Sequence, residues 1–204
     1  MKIDFNRIHS EIVKNCNKLP YIKKNIQRNG ILIVEKQKID FFSFLIKTII
    51  SQQISDKAAQ SIWTKFCCKL KTTNPSIKNI KSLSSLKEIL EEIKISSSKR
   101  NCICNIYKRI MLNNLNFKHL DSLEEENIRS KLTEFKGIGP WTCDIILIFF
   151  FNRLNILPKN DLIIKKIILH LEKVEKKKID FEKDFSPFLS VLSLHFWKMS
   201  KRVL

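Results

Sequence analysis

Residues Leu132–Thr142, with the sequence LTEFKGIGPWT, decide the fold of this chain. The chain contains only three glycines, and two of them, Gly137 and Gly139, lie in this stretch. It separates an amphipathic segment from an apolar one, which predicts two helices joined by a tight turn, with the second helix beginning at Pro140. The N–H groups of the turn and of that helix end would face outward together and bind an anion such as a phosphodiester. A plain helix–helix corner is the structural alternative, although one glycine would be enough for it.

Helical periodicity extends over most of the chain and predicts an all-α fold of eight to ten short helices. Ser55 has the position of an N-cap for the helix that carries Trp63, which lies on a regular apolar stripe and is expected in the core. The only candidate strand is Ile31–Val34, directly after Gly30, and it lacks a partner. Helices are predicted at about residues 5–17, 42–50, 56–70, 86–93, 103–110, 128–135, 141–151, 161–174 and 182–199.

The formal net charge of +18, from 38 basic and 20 acidic residues in a chain of 204, points to a polyanionic partner. Nucleic acid is the first candidate and an anionic membrane surface the second. A chain-wide bias toward Lys, Ile and Asn is the alternative explanation of the charge. No segment approaches the ~18 uninterrupted apolar residues of a membrane helix, and the N-terminus lacks a signal-peptide pattern. We therefore expect a cytoplasmic, nucleoid-associated protein.

The six cysteines are expected to be reduced thiols, because the chain shows no secretory signal. The adjacent pair Cys67 and Cys68, and the pair Cys102 and Cys104, have spacings that fit neither a zinc site nor an iron–sulfur cluster. No cofactor is therefore expected.

Five segments of the sequence resemble, in order, the helix-hairpin-helix DNA glycosylase superfamily, whose hairpin ends in a Gly/Pro-rich loop followed by an Asp. The most similar branch is DNA-3-methyladenine glycosylase II, the alkylation-repair type. The resemblance spans about residues 40–200, and Asp161 lies 22 residues after Gly139, the usual separation in the family. The matching segments are Ile49–Ala59, Ile95–Lys99, Phe135–Thr142, Leu157–Asp161 and Phe185–Trp197.

The resemblance implies two helical lobes with a catalytic cleft between them. One lobe covers about residues 41–154 and contains the hairpin at about 124–151. The other combines residues 1–40 with 155–204. We expect neither the N-terminal β domain of larger members of this branch nor the iron–sulfur cluster of other branches.

The resemblance also makes Asp161 the catalytic residue. Cleavage of an N-glycosidic bond gives the sugar an oxocarbenium-like positive charge, which a carboxylate near the anomeric carbon stabilises. Asp161 would supply that carboxylate and would orient the attacking water. Without the resemblance, an N-cap or first-turn acid that complements the helix dipole is the simpler interpretation of this residue.

Trp141 lies two residues after the second hairpin glycine, where bifunctional family members carry a nucleophilic lysine. The resemblance therefore implies base excision without AP lyase activity. The indole faces of Trp141 and Trp197 suit a flat, cationic alkylated purine, although packing in the core is the alternative for both. Ile145 and His195 complete the predicted base pocket.

Several residues are implied as DNA contacts by the same resemblance. Gln53 would be the wedge that fills the gap left by a flipped nucleotide, while a solvated helix end is the alternative for Gln52 and Gln53. Lys99 and Lys159 are expected to attract phosphates. The other predicted DNA contacts come from Gly137, Gly139, Lys136, Thr142, Gln52 and Ser55. The family further implies a monovalent cation at the carbonyl oxygens of Thr133, Phe135 and Ile138.

The sequence departs from the family pattern at three positions. Leu189 stands where many relatives have Arg, Phe185 where they have Trp, and Ile145 where some are aromatic. We predict a monomeric, monofunctional glycosylase that removes alkylated purines such as 3-methyladenine from double-stranded DNA, with no membrane and no obligate protein partner. Two alternatives stay open: a glycosylase for a deaminated or oxidised base, and a non-catalytic DNA-binding or lesion-sensing protein on the same fold.

Overall fold

The computed structural model describes residues 3–112 and 117–204, and within these ranges it contains eleven α-helices and no strand. The predicted all-α class is therefore confirmed. The α-helices are α1 (Phe5–Asn15), α2 (Pro20–Asn29), α3 (Phe41–Ser51), α4 (Asp56–Lys69), α5 (Leu83–Glu92), α6 (Ser97–Met111), α7 (Glu125–Thr133), α8 (Pro140–Phe149), α9 (Leu162–Glu175), α10 (Phe181–Phe185) and α11 (Leu189–Val203). Two 3₁₀ helices cover Ile77–Asn79 and Phe117–Ser122.

Each of the nine predicted helical regions contains a helix, but the periodicity does not predict α2. Its four buried residues are Ile22, Asn25, Ile26 and Asn29, so two polar side chains interrupt the apolar stripe that would signal a helix. The region 182–199 divides into α10 and α11 around Pro187, which has no N–H with which to continue a helix. The candidate strand Ile31–Val34 forms no ladder with any described residue, in agreement with the all-α prediction.

The described residues fall into two compact units. The first combines the chain up to Glu35 with Leu147–Leu204, and the second is Lys36–Ile146. In the first unit, α1, α2, α9, α10 and α11 pack around one apolar core. Its fully buried side chains include Ile12, Ile22, Ile26, Ile164, Ile167, Leu171, Phe185, Val191, Leu192, Phe196 and Met199.

The second unit is built on α3, which packs against α4 and α6, while α5 packs against α6. The apolar stripe of α3, represented by Leu45, Ile46 and Ile49, is fully buried. Trp63 is 7% exposed and its ring stacks on Phe66 at a centroid distance of 5.4 Å. The prediction that Trp63 belongs to the core is confirmed.

All six cysteines lie in the described part of the chain and are free thiols. Burial raises the pKa of Cys16 to about 12 and that of Cys102 and Cys143 to about 11, so these thiols stay protonated at neutral pH. Across residues 3–112 and 117–204, no three His, Cys, Asp or Glu side chains gather as metal ligands. No helix in the same ranges combines the length and apolar character that a membrane span requires.

Candidate functional site

The glycine-containing segment forms the predicted hairpin between α7 and α8. The turn is closed by the N–H of Ile138, which donates to the carbonyl of Phe135 at 2.9 Å. The carbonyl of Gly139 then accepts from the N–H of Cys143 at 3.1 Å and begins the α8 ladder. Lys136 is exposed on this turn. The hairpin therefore presents backbone groups and one lysine at its surface.

The two hairpin glycines are needed for different reasons. Gly137 has a φ of +104°, which side chains rarely allow, and a Cβ there would lie 3.2 Å from the Sγ of Cys102. At Gly139, by contrast, an added Cβ would meet no atom within 4 Å, and its φ lies outside the left-handed region. The fold itself therefore requires glycine at position 137 but not at position 139. The predicted role of Gly139 as a DNA contact stays a prediction.

A partly buried ion pair joins the two hairpin helices. The guanidinium Nη1 of Arg129 lies 2.6 Å from Oδ1 of Asp144, and the Asp144 side chain is only 6% exposed. Burial raises the pKa of Asp144 above its ordinary value, and the neighbouring Arg129 partly offsets this effect. This pair is not apparent from the sequence. Its one signal there is Asp144, a single acid within the otherwise apolar stretch of α8.

The loop between α3 and α4 is tied to the hairpin through one of its two glutamines. The side-chain amide nitrogen of Gln52 donates to the carbonyl of Gly137 and to Oγ1 of Thr142, both at 2.9 Å. Thr142 is 2% exposed, so its hydroxyl contacts Gln52 inside the protein. Gln52 and Thr142 were both predicted as DNA contacts. In the structure they are hydrogen-bonded to each other and help to shape the hairpin.

The rest of this loop faces solvent. Gln53 is exposed and has a φ of +56°, in the left-handed region that only a few per cent of non-glycine residues adopt. Ile54 is 37% exposed. The side chain of Ser55 accepts a hydrogen bond from the N–H of Ala58 at 3.3 Å and is the N-cap of α4, as predicted.

Two lysines that were expected to attract phosphates have partners within the chain. The ammonium group of Lys99 donates to the carbonyls of Ile50 at 2.9 Å and Gln52 at 2.7 Å. Burial lowers the pKa of Lys99. Lys159 is exposed and forms an ion pair with Glu182.

Asp161, in the first unit, is 9% exposed and is the N-cap of α9. Its Oδ1 accepts hydrogen bonds from the N–H groups of Ile163 and Ile164, each at 2.9 Å. The same oxygen accepts from the indole Nε1 of Trp197 at 3.2 Å. The capping role weighed against catalysis in the sequence analysis is therefore present. Three donors on one oxygen fix the direction of the carboxylate, which a catalytic role also needs.

Trp197 connects this carboxylate with an aromatic partner. Its indole ring lies 5.8 Å from the ring of Phe149, centroid to centroid, at an interplanar angle of 31°. Both side chains are half-buried. The sequence analysis singled out Trp197 but not Phe149, whose place in an apolar run carries no distinguishing signal.

The loop that leads to Asp161 is fastened to α11 by one serine. Ser190 is fully buried, and its hydroxyl donates to the carbonyl of Arg153 at 2.6 Å and accepts from the N–H of Ile156 at 3.1 Å. Its own N–H donates to the carbonyl of Leu154 at 2.9 Å. The resemblance matched Ser190 without giving it a role. These bonds give it one, because they hold residues 153–156 immediately before the segment that presents Asp161.

The other predicted pocket residues have varied surroundings. His195 is fully buried and its Nδ1 lies 3.2 Å from the side-chain amide of Asn29. Burial, together with His9 and Lys198, lowers the pKa of His195 to about 3, so its ring is neutral. Trp141 and Ile145 are half-buried in α8. The pocket assignment of these residues, and the cleft expected between two lobes, stay predictions.

The carbonyls proposed to hold a monovalent cation belong to Thr133, the last residue of α7, and to Phe135 and Ile138 in the hairpin turn. An all-oxygen donor set suits a hard cation, and Phe135 keeps one lone pair because its oxygen accepts the single bond from Ile138. These features fit the ion with Thr133, Phe135 and Ile138 as ligands. The cation itself stays a prediction.

Comparison with known families matches residues 46–189, more than half of the chain, to the HhH-GPD superfamily of base excision DNA repair proteins. A DNA-3-methyladenine glycosylase 1 from Schizosaccharomyces pombe is 28% identical over 174 residues, which cover 81% of this chain and 75% of that protein. A DNA-3-methyladenine glycosylase from Saccharomyces cerevisiae is 27% identical, with 79% of this chain and 67% of that protein covered.

Solved structures share the fold at lower sequence identity. A 3-methyladenine DNA glycosylase from Archaeoglobus fulgidus superposes with a TM-score of 0.78 at 21% identity, covering 98% of this chain and 70% of that one. The Schizosaccharomyces pombe enzyme Mag1, solved with abasic DNA, gives 0.72 at 23% identity, with coverages of 92% and 97%. An 8-oxoguanine glycosylase/lyase from Clostridium acetobutylicum gives 0.75 at 19% identity, with coverages of 98% and 72%.

Proposed function

Because the chain belongs to the HhH-GPD superfamily of base excision DNA repair proteins, we propose that it is a monofunctional DNA glycosylase for alkylated purines of the 3-methyladenine type. The observation that carries this proposal is the Asp161 carboxylate, whose Oδ1 is held by Trp197 and by the first turn of α9. The names of the relatives support the substrate class.

The reaction breaks the bond between C1′ of the sugar and the ring nitrogen of the base. The bonding electrons leave with the base, and a base that already carries positive charge through alkylation departs as a neutral molecule. Asp161 stabilises the oxocarbenium-like sugar by its negative charge. Water then adds to C1′ and loses its proton, which leaves an abasic site. The fixed direction of the carboxylate lowers the cost of reorganisation during this step.

Trp141 supports the absence of lyase chemistry. Strand cleavage by bifunctional family members needs a lysine amine that attacks C1′ and forms a Schiff base. An indole at that position offers no such nucleophile. The expected product is therefore an intact strand with an abasic site.

Binding of the DNA backbone is assigned to the hairpin. The open position at Gly139, the start of α8 and the exposed Lys136 together suit a phosphate group. The formal net charge of +18 adds a long-range attraction that weakens with salt.

The test is release of free 3-methyladenine and 7-methylguanine from methylated duplex DNA, measured by chromatography together with strand nicking. We expect the wild-type protein to release alkylated bases without nicking, and Asp161→Asn to lose release. The Asn side chain is an equally good N-cap, so α9 should stay folded. Release at a wild-type rate by Asp161→Asn would contradict the mechanism. Release of a deaminated or oxidised base alone would move the protein to another lesion.

A further inference from the structure

Two adjacent residues of the α3–α4 loop, Gln52 and Gln53, have opposite surroundings. The side-chain amide of Gln52 uses its two N–H donors on the carbonyl of Gly137 and the hydroxyl of Thr142. The side chain of Gln53 faces solvent. One glutamine therefore belongs to the scaffold of the hairpin, and its neighbour is available to a partner.

Lys99 fastens the same loop from the side of α6. Its ammonium bridges the carbonyl of Ile50, at the end of α3, and the carbonyl of Gln52, the first residue beyond that helix. Carbonyls at a helix end lack intrahelical partners, and a cation there also complements the helix dipole. Lys99 thus defines where α3 ends and in which direction the chain leaves it.

The backbone immediately after these contacts is strained. Gln53 has a φ of +56°, a left-handed conformation that is unfavourable for a residue with a side chain. Such a conformation persists only where the surroundings determine it. The preceding residue, Gln52, is held at its carbonyl by Lys99 and at its side chain by Gly137 and Thr142. These contacts set the direction in which Gln53 and Ile54 leave the surface.

We infer that Gln52 and Lys99 are positioning residues, which hold the exposed Gln53–Ile54 segment in register with the Gly137–Gly139 hairpin. This inference rests on the proposed function. A glycosylase must replace the flipped nucleotide in the stack while it grips the backbone beside it. With both elements bonded to each other, the insertion of the loop and the grip on phosphate form one preset surface. The conformational entropy of the loop is then lost during folding of the protein and not during DNA binding.

We therefore expect the effect of these contacts on the excision rate to depend on whether the lesion is base-paired. Flipping a paired lesion needs the inserted loop, whereas an unpaired lesion flips with less help. Loss of the positioning contacts should therefore slow excision from a paired site and leave excision from an unpaired site nearly unchanged. A general loss of structure or a damaged active site would slow both.

The experiment uses single-turnover excision from duplexes that carry one 7-methylguanine, placed opposite either cytosine or an abasic site. Lys99→Met keeps the apolar stem of the side chain, and Gln52→Leu keeps its approximate size. We expect each to lower the rate about tenfold on the paired lesion and less than about twofold opposite the abasic site. Lys99→Arg retains a charged donor and should recover most of the rate. Lys108→Met, on the exposed face of the same helix, is the matched control and should behave as wild type on both duplexes.

Equal slowing of Lys99→Met and Gln52→Leu on the two duplexes, or no slowing on either, would overturn the inference while the proposed function stands. Thermal unfolding of each variant shows whether it has lost the fold. If Lys99→Met and Gln52→Leu have lost it, the test passes to Lys99→Arg, through the ratio of its excision rates on the paired and the unpaired lesion. A wild-type protein that releases base from neither duplex would overturn the proposed function, and this inference with it.

Discussion

The hairpin and the segment that presents Asp161 differ in how their chains are closed. The turn of the hairpin is closed by a bond between neighbours in sequence, Ile138 and Phe135, and Gln52 adds two hydrogen bonds to it from the α3–α4 loop. The Asp161 segment depends on α11, since Ser190 contacts Ile156 across 34 positions and Trp197 contacts Asp161 across 36. The hairpin turn is thus closed by local bonds with added support from Gln52, whereas the direction of the Asp161 side chain depends on α11.

The strongest test of this contrast is to remove the support of the Asp161 segment. Ser190→Ala leaves the half-buried carbonyl of Arg153 and the buried N–H of Ile156 without the hydroxyl. We expect unfolding free energy to fall by about 2–3 kcal/mol, measured by chemical denaturation. Excision should also slow, because the segment before Asp161 loses its attachment.

Ser193→Ala is the matched control for that variant. Ser193 is equally buried on α11, but its hydroxyl only donates to the carbonyl of Leu189 within the same helix. We expect a loss below about 1 kcal/mol and normal excision, because this bond supplements a helix ladder that is already complete. Equal losses from the two serines would contradict the role given to Ser190.

The two hairpin glycines should respond to alanine in opposite ways. Gly137→Ala forces a left-handed residue against Cys102 and should lower stability by roughly 1–2 kcal/mol. Gly139→Ala meets no protein atom, so its melting temperature should equal that of wild type while its affinity for abasic duplex falls. Calorimetry and fluorescence anisotropy measure the two quantities. Wild-type affinity in Gly139→Ala would remove the argument that this position is kept open for phosphate.

A smaller effect on catalysis is expected from the hydrogen bond to the carboxylate. Trp197→Phe retains a ring beside Phe149 but loses the Nε1 donor to Asp161. The single-turnover excision rate should fall about tenfold, with little change in affinity for abasic duplex. A fall in affinity with an unchanged rate would instead assign Trp197 to binding.

The smallest expected effect is a pH dependence confined to the first unit. The folded pKa of His195 is lowered to about 3, so the unfolded chain takes up this proton first as the pH falls below the ordinary value of 6.5. The contribution of neutral His195 to the free energy of unfolding is complete well above pH 6.5 and declines toward pH 3. About 0.8 kcal/mol of it is lost at pH 6. His195→Gln should flatten the change in stability between pH 8 and pH 6.

The sequence predicts the fold almost completely, because amphipathic stripes and the glycine pair are local signals. It misses α2, because two of the four buried residues of that helix, Asn25 and Asn29, are polar. In the candidate site, the resemblance selects Asp161 and Trp197, but their hydrogen bond depends on the packing of α9 against α11. A basic side chain such as Lys99 suggests phosphate binding, and only the structure shows its ammonium on two carbonyls.

We propose that the hairpin binds DNA and that Asp161 stabilises the oxocarbenium-like sugar during cleavage. The direct measurement compares Asp161→Asn with Gly139→Ala in two assays: affinity for abasic duplex, and single-turnover release of 3-methyladenine at saturating protein. We expect Asp161→Asn to keep its affinity and lose at least about a hundredfold in rate. Gly139→Ala should lose affinity and keep its rate once saturated. If both variants lose the same property, or if Asp161→Asn keeps its rate, the division of roles is wrong.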